Sequence, residues 1–437
     1  MSELAILGGS PVRTRPFARW PQFLPSDARR LQDVVESGHW GGFPVPTHYG
    51  GEFAERFAKM HGAEYGLCVT NGTIALMGGL IAAGVGFGDE VIVPAYTWDG
   101  TATAVLHAGG VPVFVDVDPD TYCLDVESTR AAITPRTRAI IPVHLAMRFV
   151  DMDALLALAR SHDLKIIEDC AHAHGGQYKG RGAGSMGDVG CFSFQESKLM
   201  TAGEGGIVIT SSLQIFEHLQ SQVNCGRASL TNRYNQRVLG SNYRMTELQA
   251  ALLIGQLDML PDFAAHRARS AELLTEGLSG IDGVRPLPPQ AEITRDTIYC
   301  YVFQYQGEDR GLSRDMFAAA LDAEGIRCDG RFYEAVYRSD LFYASPGVSP
   351  QLWMGRAESM DYTKCHCPVS ERAAYREAIW LPQFVLLGGE EDVDDIVRAV
   401  GKIMRNIDEL AQADSALAGV KSLSRADRPR HERARNY

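Results

Sequence analysis

Between residues 65 and 169 short apolar runs alternate with stretches of helical periodicity, and this alternation is the strongest constraint on the fold. Strands are expected at 65–70, 90–94, 111–117, 139–142 and 165–168, with helices between them at 74–83, 99–108, 126–132 and 152–162. Parallel strands need long crossovers, and helical crossovers cover both faces of the sheet they join. The expected class is α/β, with a mostly parallel sheet flanked by helices. Ile207-Val-Ile-Thr210 reads as one further buried strand.

Ligands of such sheets bind beyond the carboxyl ends of the strands. The informative residues are those that follow each strand: Asn71, Gly72 and Thr73; Tyr96, Thr97 and Trp98; His144; Asp169 and His172; and Lys198. Asn71-Gly-Thr73 is read as a turn feeding a helix, which is a phosphate-binding geometry and equally an ordinary N-cap. Gly84-Val-Gly-Phe-Gly-Asp89 follows a helix and precedes a strand, the wrong order for a dinucleotide fingerprint, so it reads as a helix-terminating turn.

Lys198 lies between an aromatic run (Phe192, Phe194) and the glycines 203, 205 and 206. Of the seven lysines it alone has apolar strands on both sides. Partial desolvation there favours the neutral amine, a nucleophile toward carbonyls. Asp169 closes a strand, where a half-buried carboxylate needs a cation or donors. Trp98 offers a flat face for a ring, His172 falls three residues after Asp169, and Ser193 with Gly72 and Thr73 suits a phosphate. Each has a plain alternative: Lys198 as a loop lysine or ion-pair partner, Trp98 as core, Asp169 as a helix cap, His172 as a satisfied polar group. Together, at successive strand ends, they match an aldehyde-bearing aromatic cofactor with a phosphate and a basic ring nitrogen, namely pyridoxal 5'-phosphate.

Several motifs carry a family likeness: Val69-Thr-Asn-Gly-Thr-Ile-Ala-Leu76, Val91-Ile-Val-Pro-Ala-Tyr-Thr-Trp98, Glu168-Asp-Cys-Ala-His172, Phe192-Ser-Phe194 with Lys198 and Thr201-Ala-Gly-Glu-Gly-Gly206, and Gly240-Ser-Asn-Tyr-Arg-Met-Thr-Glu-Leu-Gln-Ala250. Together they resemble the DegT/DnrJ/EryC1/StrS aminotransferases, pyridoxal-phosphate enzymes of fold type I acting on keto-sugars and cyclitols. The resemblance implies that Lys198 forms the Schiff-base link to the cofactor, Asp169 pairs with the pyridinium nitrogen and His172 sits at the ring hydroxyl. It further implies that Gly72, Thr73 and Ser193 bind the phosphate and that Trp98 stacks on the ring. Asn242 would reach the phosphate from a partner subunit, so a homodimer with a shared site is expected.

Thr121-Tyr-Cys-Leu-Asp125, Ile141-Pro-Val-His-Leu145, Tyr299-Cys-Tyr-Val-Phe303 and Cys367-Pro-Val-Ser-Glu-Arg-Ala373 resemble the branch that aminates cyclitol ketones in aminoglycoside pathways, with L-glutamine as the usual donor. One departure follows His144-Leu145, where the family has a glycine-containing loop. Here Met147, Arg148 and Phe149 are expected to add bulk and charge near the mouth of the site. The resemblance leaves open a nucleotide-keto-sugar aminotransferase, a dehydratase or aromatising enzyme of the aminohydroxybenzoate-synthase type, and a non-catalytic relative that binds pyridoxal phosphate.

The 437 residues allow two domains. An arm and large cofactor-binding domain are expected over 1–260, a smaller α+β domain over 261–415, and a disordered Arg-rich tail over 416–437. Residues 1–50 read as a packing arm with a helix at 26–36, and 51–61 as a helix. The pattern at 245–260 reads as the start of a connecting helix. The smaller domain is expected to hold a strand at 297–304 and helices at 314–324 and 390–410. The aromatic stretch 332–367 is long enough to shape an entrance. A net charge of -12 disfavours nucleic acid. No basic n-region or membrane-length apolar run is present, and nine irregularly spaced cysteines suit a reducing cytoplasm rather than a disulfide framework. Cys365-His-Cys367 lacks a second ligand pair, so no metal is expected.

Overall fold

The computed structural model describes residues 2–43, 46–227, 235–343 and 361–414. The expected tail at 416–437 and the 344–360 part of the expected entrance stretch lie outside them.

The N-terminal arm packs on the C-terminal part of the chain before it reaches the sheet. Leu4 is buried in an apolar cluster there, and the backbone N–H groups of Ala5 and Val12 donate to the Glu324 carboxylate at 2.9 and 3.0 Å. Arg13 then bonds both Asp392 and Asp395 at 2.8 Å. The arm ends at Trp20, whose indole N–H donates to the Glu196 carbonyl, two residues before Lys198. Helices α1 (Pro25–Ser37) and α2 (His48–His61) follow.

The alternation then unfolds as expected: β1 (Tyr65–Val69), α3 (Gly72–Ala82), β2 (Glu90–Pro94), α4 (Gly100–His107), β3 (Val111–Val115), α5 (Val126–Ala132), β4 (Thr137–Ile140), α6 (Met152–Ser161) and β5 (Lys165–Asp169). A small hairpin, β6 (Gln177–Tyr178) and β7 (Arg181–Gly182), precedes β8 (Val189–Ser193) and β9 (Gly206–Thr210). The central sheet has seven strands in the order β1-β9-β8-β5-β4-β2-β3. Its pairs are parallel except for the two made by β9, which runs antiparallel to β1 and β8. β2, β8 and β9 are buried throughout, as a sheet covered on both faces requires.

Three elements depart from the sequence pattern, and a fourth, the expected connecting helix, extends through a proline. Helix α3 begins at Gly72 rather than 74, because the Asn71 carboxamide accepts the Ile74 N–H at 2.9 Å and makes Gly72 and Thr73 the first turn. After α7 (Leu213–Val223), helix α8 runs unbroken from Glu247 to Ser279, through Pro261. A proline inside a helix costs about 3 kcal/mol. Packing of α8 on α1, on α2 and on the helix Glu390–Arg405 offsets that cost. The strand expected at 297–304 begins at Cys300, because Ile298 takes a positive φ of 36° that no strand accommodates. The helix expected at 390–410 is broken at Asn406 into Glu390–Arg405 and Ile407–Asp414.

Beyond α8, strands β10 (Val284–Pro286), β12 (Cys300–Tyr305) and β13 (Ala378–Pro382) form an antiparallel sheet. The intervening β11 (Ile293–Arg295) pairs instead with β6. Helix α9 (Arg314–Ala323) and the helix Glu390–Arg405 share the second apolar cluster with β12 and β13. Among the described residues no helix is long and apolar enough to cross a membrane. All nine cysteines carry free thiols.

Candidate active site

Parallel β5 delivers Asp169 to the carboxyl edge of the sheet. The residue is only 6% exposed. Its Oδ2 accepts the Thr101 hydroxyl at 2.9 Å and its Oδ1 the Ala171 N–H at 3.1 Å. Burial raises its pKa above the ordinary carboxylate value, and these two donors and the nearby Lys198 charge oppose the rise. A buried carboxylate in this state favours a cation as its next partner.

His172 is held three residues further on. Its Nδ1 accepts the Ala146 N–H at 3.2 Å, and its Nε2 lies 3.1 Å from the Tyr333 hydroxyl. Burial, with the Lys198 charge added, holds its pKa well below the ordinary imidazole value, so the ring is neutral. Tyr299 stacks on it at 4.0 Å, with 22° between the planes. The Lys198 ammonium stands 4.7 Å from the centroid of that same Tyr299 ring. Lys198, Asp169 and His172 therefore lie in one neighbourhood.

A second cluster forms where α3 starts. A Cβ added to Gly72 would lie 2.7 Å from the Ser193 Cβ, so the helix start and the end of β8 touch closely. Gly100 packs against the Trp98 indole and the Thr73 hydroxyl, which joins those two residues. The first-turn amides of α3 lack intrahelical acceptors and sit at the positive end of its dipole. Trp98 is 61% exposed, which leaves an indole face open. Asn242 is exposed and bridges Asn224; its neighbour Tyr243 accepts the Thr70 N–H at 2.9 Å, at the end of β1.

The loop after His144 is placed otherwise than expected. Ala146 and Met147 take positive φ of 53° and 76°, and this turn directs the chain inward. Met147 and Phe149 are fully buried, not at the mouth. Met147 sulfur receives the Thr297 hydroxyl at 3.1 Å, and Phe149 packs on His144 at 4.4 Å. Arg148 donates to the Leu287 carbonyl. The loop reaches the site through one backbone N–H, that of Ala146.

Sequence reasoning missed Thr101, Tyr299 as a contact of Lys198, and Tyr333. None lies directly after a central strand, and no local pattern signals them. It also missed Glu168, which packs on the opposite side of β5 from Asp169. Burial pushes Glu168 up, but His144 Nε2 at 2.9 Å and the N–H groups of Gly184, Met186 and Gly187 bring its pKa below the ordinary value. His144, Glu168 and Cys170 are close enough to suggest a metal group, yet both Glu168 oxygens are already taken by these donors.

A mostly parallel sheet with a buried carboxylate, a neutral histidine and a lysine at its carboxyl edge defines an aminotransferase of fold type I. The chain belongs to the DegT/DnrJ/EryC1/StrS aminotransferase family, whose model matches residues 26–401. It is 46% identical over 413 residues to a protein of Streptoalloteichus tenebrarius with the provisional name L-glutamine:3-amino-2,3-dideoxy-scyllo-inosose aminotransferase, covering 94% of this chain and 99% of that one. It is 38% identical over 417 residues to the L-glutamine:2-deoxy-scyllo-inosose aminotransferase of Streptomyces paromomycinus, covering 92% and 98%. The crystal structure of 3-amino-5-hydroxybenzoic acid (AHBA) synthase superposes with a TM-score of 0.81 at 34% identity, covering 90% of this chain and 100% of that one.

Proposed function

We propose that this aminotransferase uses pyridoxal 5'-phosphate to move an amino group from L-glutamine to a ketone of an aminocyclitol, in the making of an aminoglycoside-type antibiotic. The observation that carries this reading is the 46% identity to the inosose aminotransferase over 94% of the chain. The named acceptor of that relative is a cyclitol ketone already bearing one amine, which makes a second amination the favoured step here.

The residues fit the cofactor. Asp169 is buried and is bonded by two neutral donors, the Thr101 hydroxyl and the Ala171 N–H, which suits a protonated ring nitrogen as its charged partner. The first turn of α3, with Gly72, Thr73 and the Ser193 hydroxyl, suits a phosphate. The exposed Trp98 face suits a stacked ring. Lys198 would hold the cofactor aldehyde, and Asn242 would complete the phosphate site of a second copy. When bound, the cofactor supplies a carbonyl that exchanges between amines and a ring that takes up electrons. The Lys198 amine would serve as the proton carrier, taking the proton from the donor α carbon in one half of the reaction and giving one to the carbon that receives the amine in the other. Asp169 would pair with the ring nitrogen, and its carboxylate form would favour a proton there. In this reading residues 1–260 hold the cofactor, residues 261–415 form the smaller domain, and the homodimer works in the cytoplasm.

The test is an absorbance spectrum of the purified protein before and after L-glutamine, followed by a ketone panel. Conversion of the lysine-bound cofactor band to the amine form, then its reversal by an inosose or amino-inosose, supports the reading. Reversal by a nucleotide keto-sugar alone would move the assignment to that class. The likeness to AHBA synthase favours one second reading, a dehydratase or aromatising enzyme. It predicts new aromatic product absorbance and no 2-oxoglutaramate. A chain that binds the cofactor and never converts it would be non-catalytic.

A further inference from the structure

The hydrogen bonds around His172 run in one direction. The Ala146 backbone N–H can only donate, so His172 Nδ1 is an acceptor and carries no proton. The neutral ring then bears its proton on Nε2, which donates to the Tyr333 hydroxyl oxygen at 3.1 Å. That leaves the Tyr333 O–H free to donate. Among the described residues no acceptor takes it, although the side chain is 7% exposed. Both nitrogens of His172 are thus engaged by the protein, and the donor on offer belongs to Tyr333.

Tyr333 is held firmly in place. Asp329 exchanges two backbone hydrogen bonds with Trp380 of β13, each 2.9 Å. Val336 N–H donates to the Ala95 carbonyl at the end of β2, beside the Tyr96–Ala335 bridge. The segment is therefore tied at both ends across the carboxyl edge of the sheet. The Tyr333 ring lies parallel to His172, with centroids 6.2 Å apart, and packs edge-on against Trp380 and Tyr96. Asp169 and Tyr299 are close enough to act on its hydroxyl.

We infer that Tyr333 is a ligand-binding residue that donates a hydrogen bond to an oxygen of the bound molecules. The oxygen belongs either to the phenolic group of the cofactor or to the polyhydroxylated ketone. Neither source calls for a change of fold, since a buried phenol with an unpaired proton gains a partner in both cases.

The inference rests on the proposed function, and the experiment separates the two. The unaltered enzyme must first show the glutamine-driven spectral change; its absence refutes the proposed function. With that change in hand, Tyr333→Phe keeps the ring and removes the donor. A rise of about tenfold in KM for the ketone, with cofactor affinity and spectrum unchanged, assigns the bond to the substrate oxygen. A shifted cofactor band and about tenfold weaker cofactor binding, with ketone KM unchanged, assigns it to the cofactor oxygen. Unchanged values of both overturn the inference. If Tyr333→Phe loses its circular-dichroism spectrum, 3-fluorotyrosine incorporated at position 333 replaces it; this keeps the ring and strengthens the donor. A change in either readout then supports the bond, and none overturns it.

Discussion

The Lys198 ammonium lies 4.7 Å from the centroid of the Tyr299 ring, and the Tyr299 hydroxyl is 3.0 Å from the Ser197 hydroxyl, on the residue just before the lysine. The ring holds the lysine through its face and the preceding residue through its edge. A cation over an aromatic face is worth about 0.5–2 kcal/mol. Tyr299→Leu is expected to lower kcat/KM about tenfold, and Tyr299→Phe less, because it keeps the face. Steady-state kinetics on both variants check this; equal losses would show that the hydroxyl, not the ring, holds the lysine.

Lys198→Ala is expected to abolish transamination and to remove the absorbance band of the lysine-bound cofactor. No other lysine among the described residues is placed beside Asp169 and His172. Turnover at the unaltered rate in this variant would refute the assignment of Lys198.

Thr101→Val removes one of the two donors that oppose the burial of Asp169. The carboxyl pKa then rises further, and the ionised form that pairs with a ring nitrogen becomes costlier. Hydrogen bonds to charged groups are worth about 1.5–3 kcal/mol. Cofactor affinity, followed by fluorescence titration at neutral pH, is expected to fall about tenfold or more. Undiminished affinity would mean that Asp169 needs no help from Thr101.

Gly72→Ala pits helix propensity against space. Alanine favours a helix by about 1 kcal/mol over glycine. The new Cβ, however, would lie 2.7 Å from the Ser193 Cβ, so the helix start or β8 must shift. Weaker binding of pyridoxal phosphate and of inorganic phosphate as its competitor is expected. Unchanged phosphate competition would place the phosphate elsewhere.

Two buried histidines set an acid limit. Burial lowers His61 from 6.5 to about 3, against the pull of its bond to the Ala183 carbonyl. Its Nδ1 donates there and its Nε2 accepts the Gly175 N–H, so the neutral ring is fully satisfied and protonation breaks a bond. Burial likewise lowers His174 to about 3; its Nε2 donates to the Ser193 carbonyl, and its unprotonated Nδ1 is buried with no hydrogen-bond partner among the described residues, so a proton added there would find no acceptor. Both pKa values are depressed, so the unfolded chain binds these protons first. The stability is whole above pH 6.5 and is lost as the pH falls toward 3. Two protons give a slope that steepens below pH 6.5 and approaches about 3 kcal/mol per pH unit near pH 5. Urea denaturation at pH 7, 6 and 5 measures it, and a flat profile would contradict the buried neutral rings.

The order of strands and helices was legible from residues 65 to 169, and the strand at 207–210 with it, because periodicities of 2 and 3.6 are local properties of the chain; the two-residue strands β6 and β7 are too short to show a period, and no bounds were read for β8. So was the burial of Asp169, since a polar residue that closes an apolar strand in a covered sheet has nowhere else to go. Helix bounds were less legible. Asn71 capped earlier than the apolar pattern suggested, and α8 passed through Pro261 because its partners hold it on both sides of the proline. The bulk of Met147 and Phe149 was expected at the mouth and is buried instead, since its direction depends on two positive φ angles that no residue there announces.

The sequence by itself determined the α/β sheet, the residues presented at its carboxyl edge and the family likeness their motifs carry. Only the tertiary structure decided which distant side chains meet them. Thr101 reaches Asp169 from α4, Tyr299 reaches Lys198 from the approach to β12, and Tyr333 reaches His172 from a segment strung between β2 and β13. Sequence patterns extend over one element, whereas these meetings depend on which strand ends lie side by side, and that is set by the crossovers and packing of the whole chain.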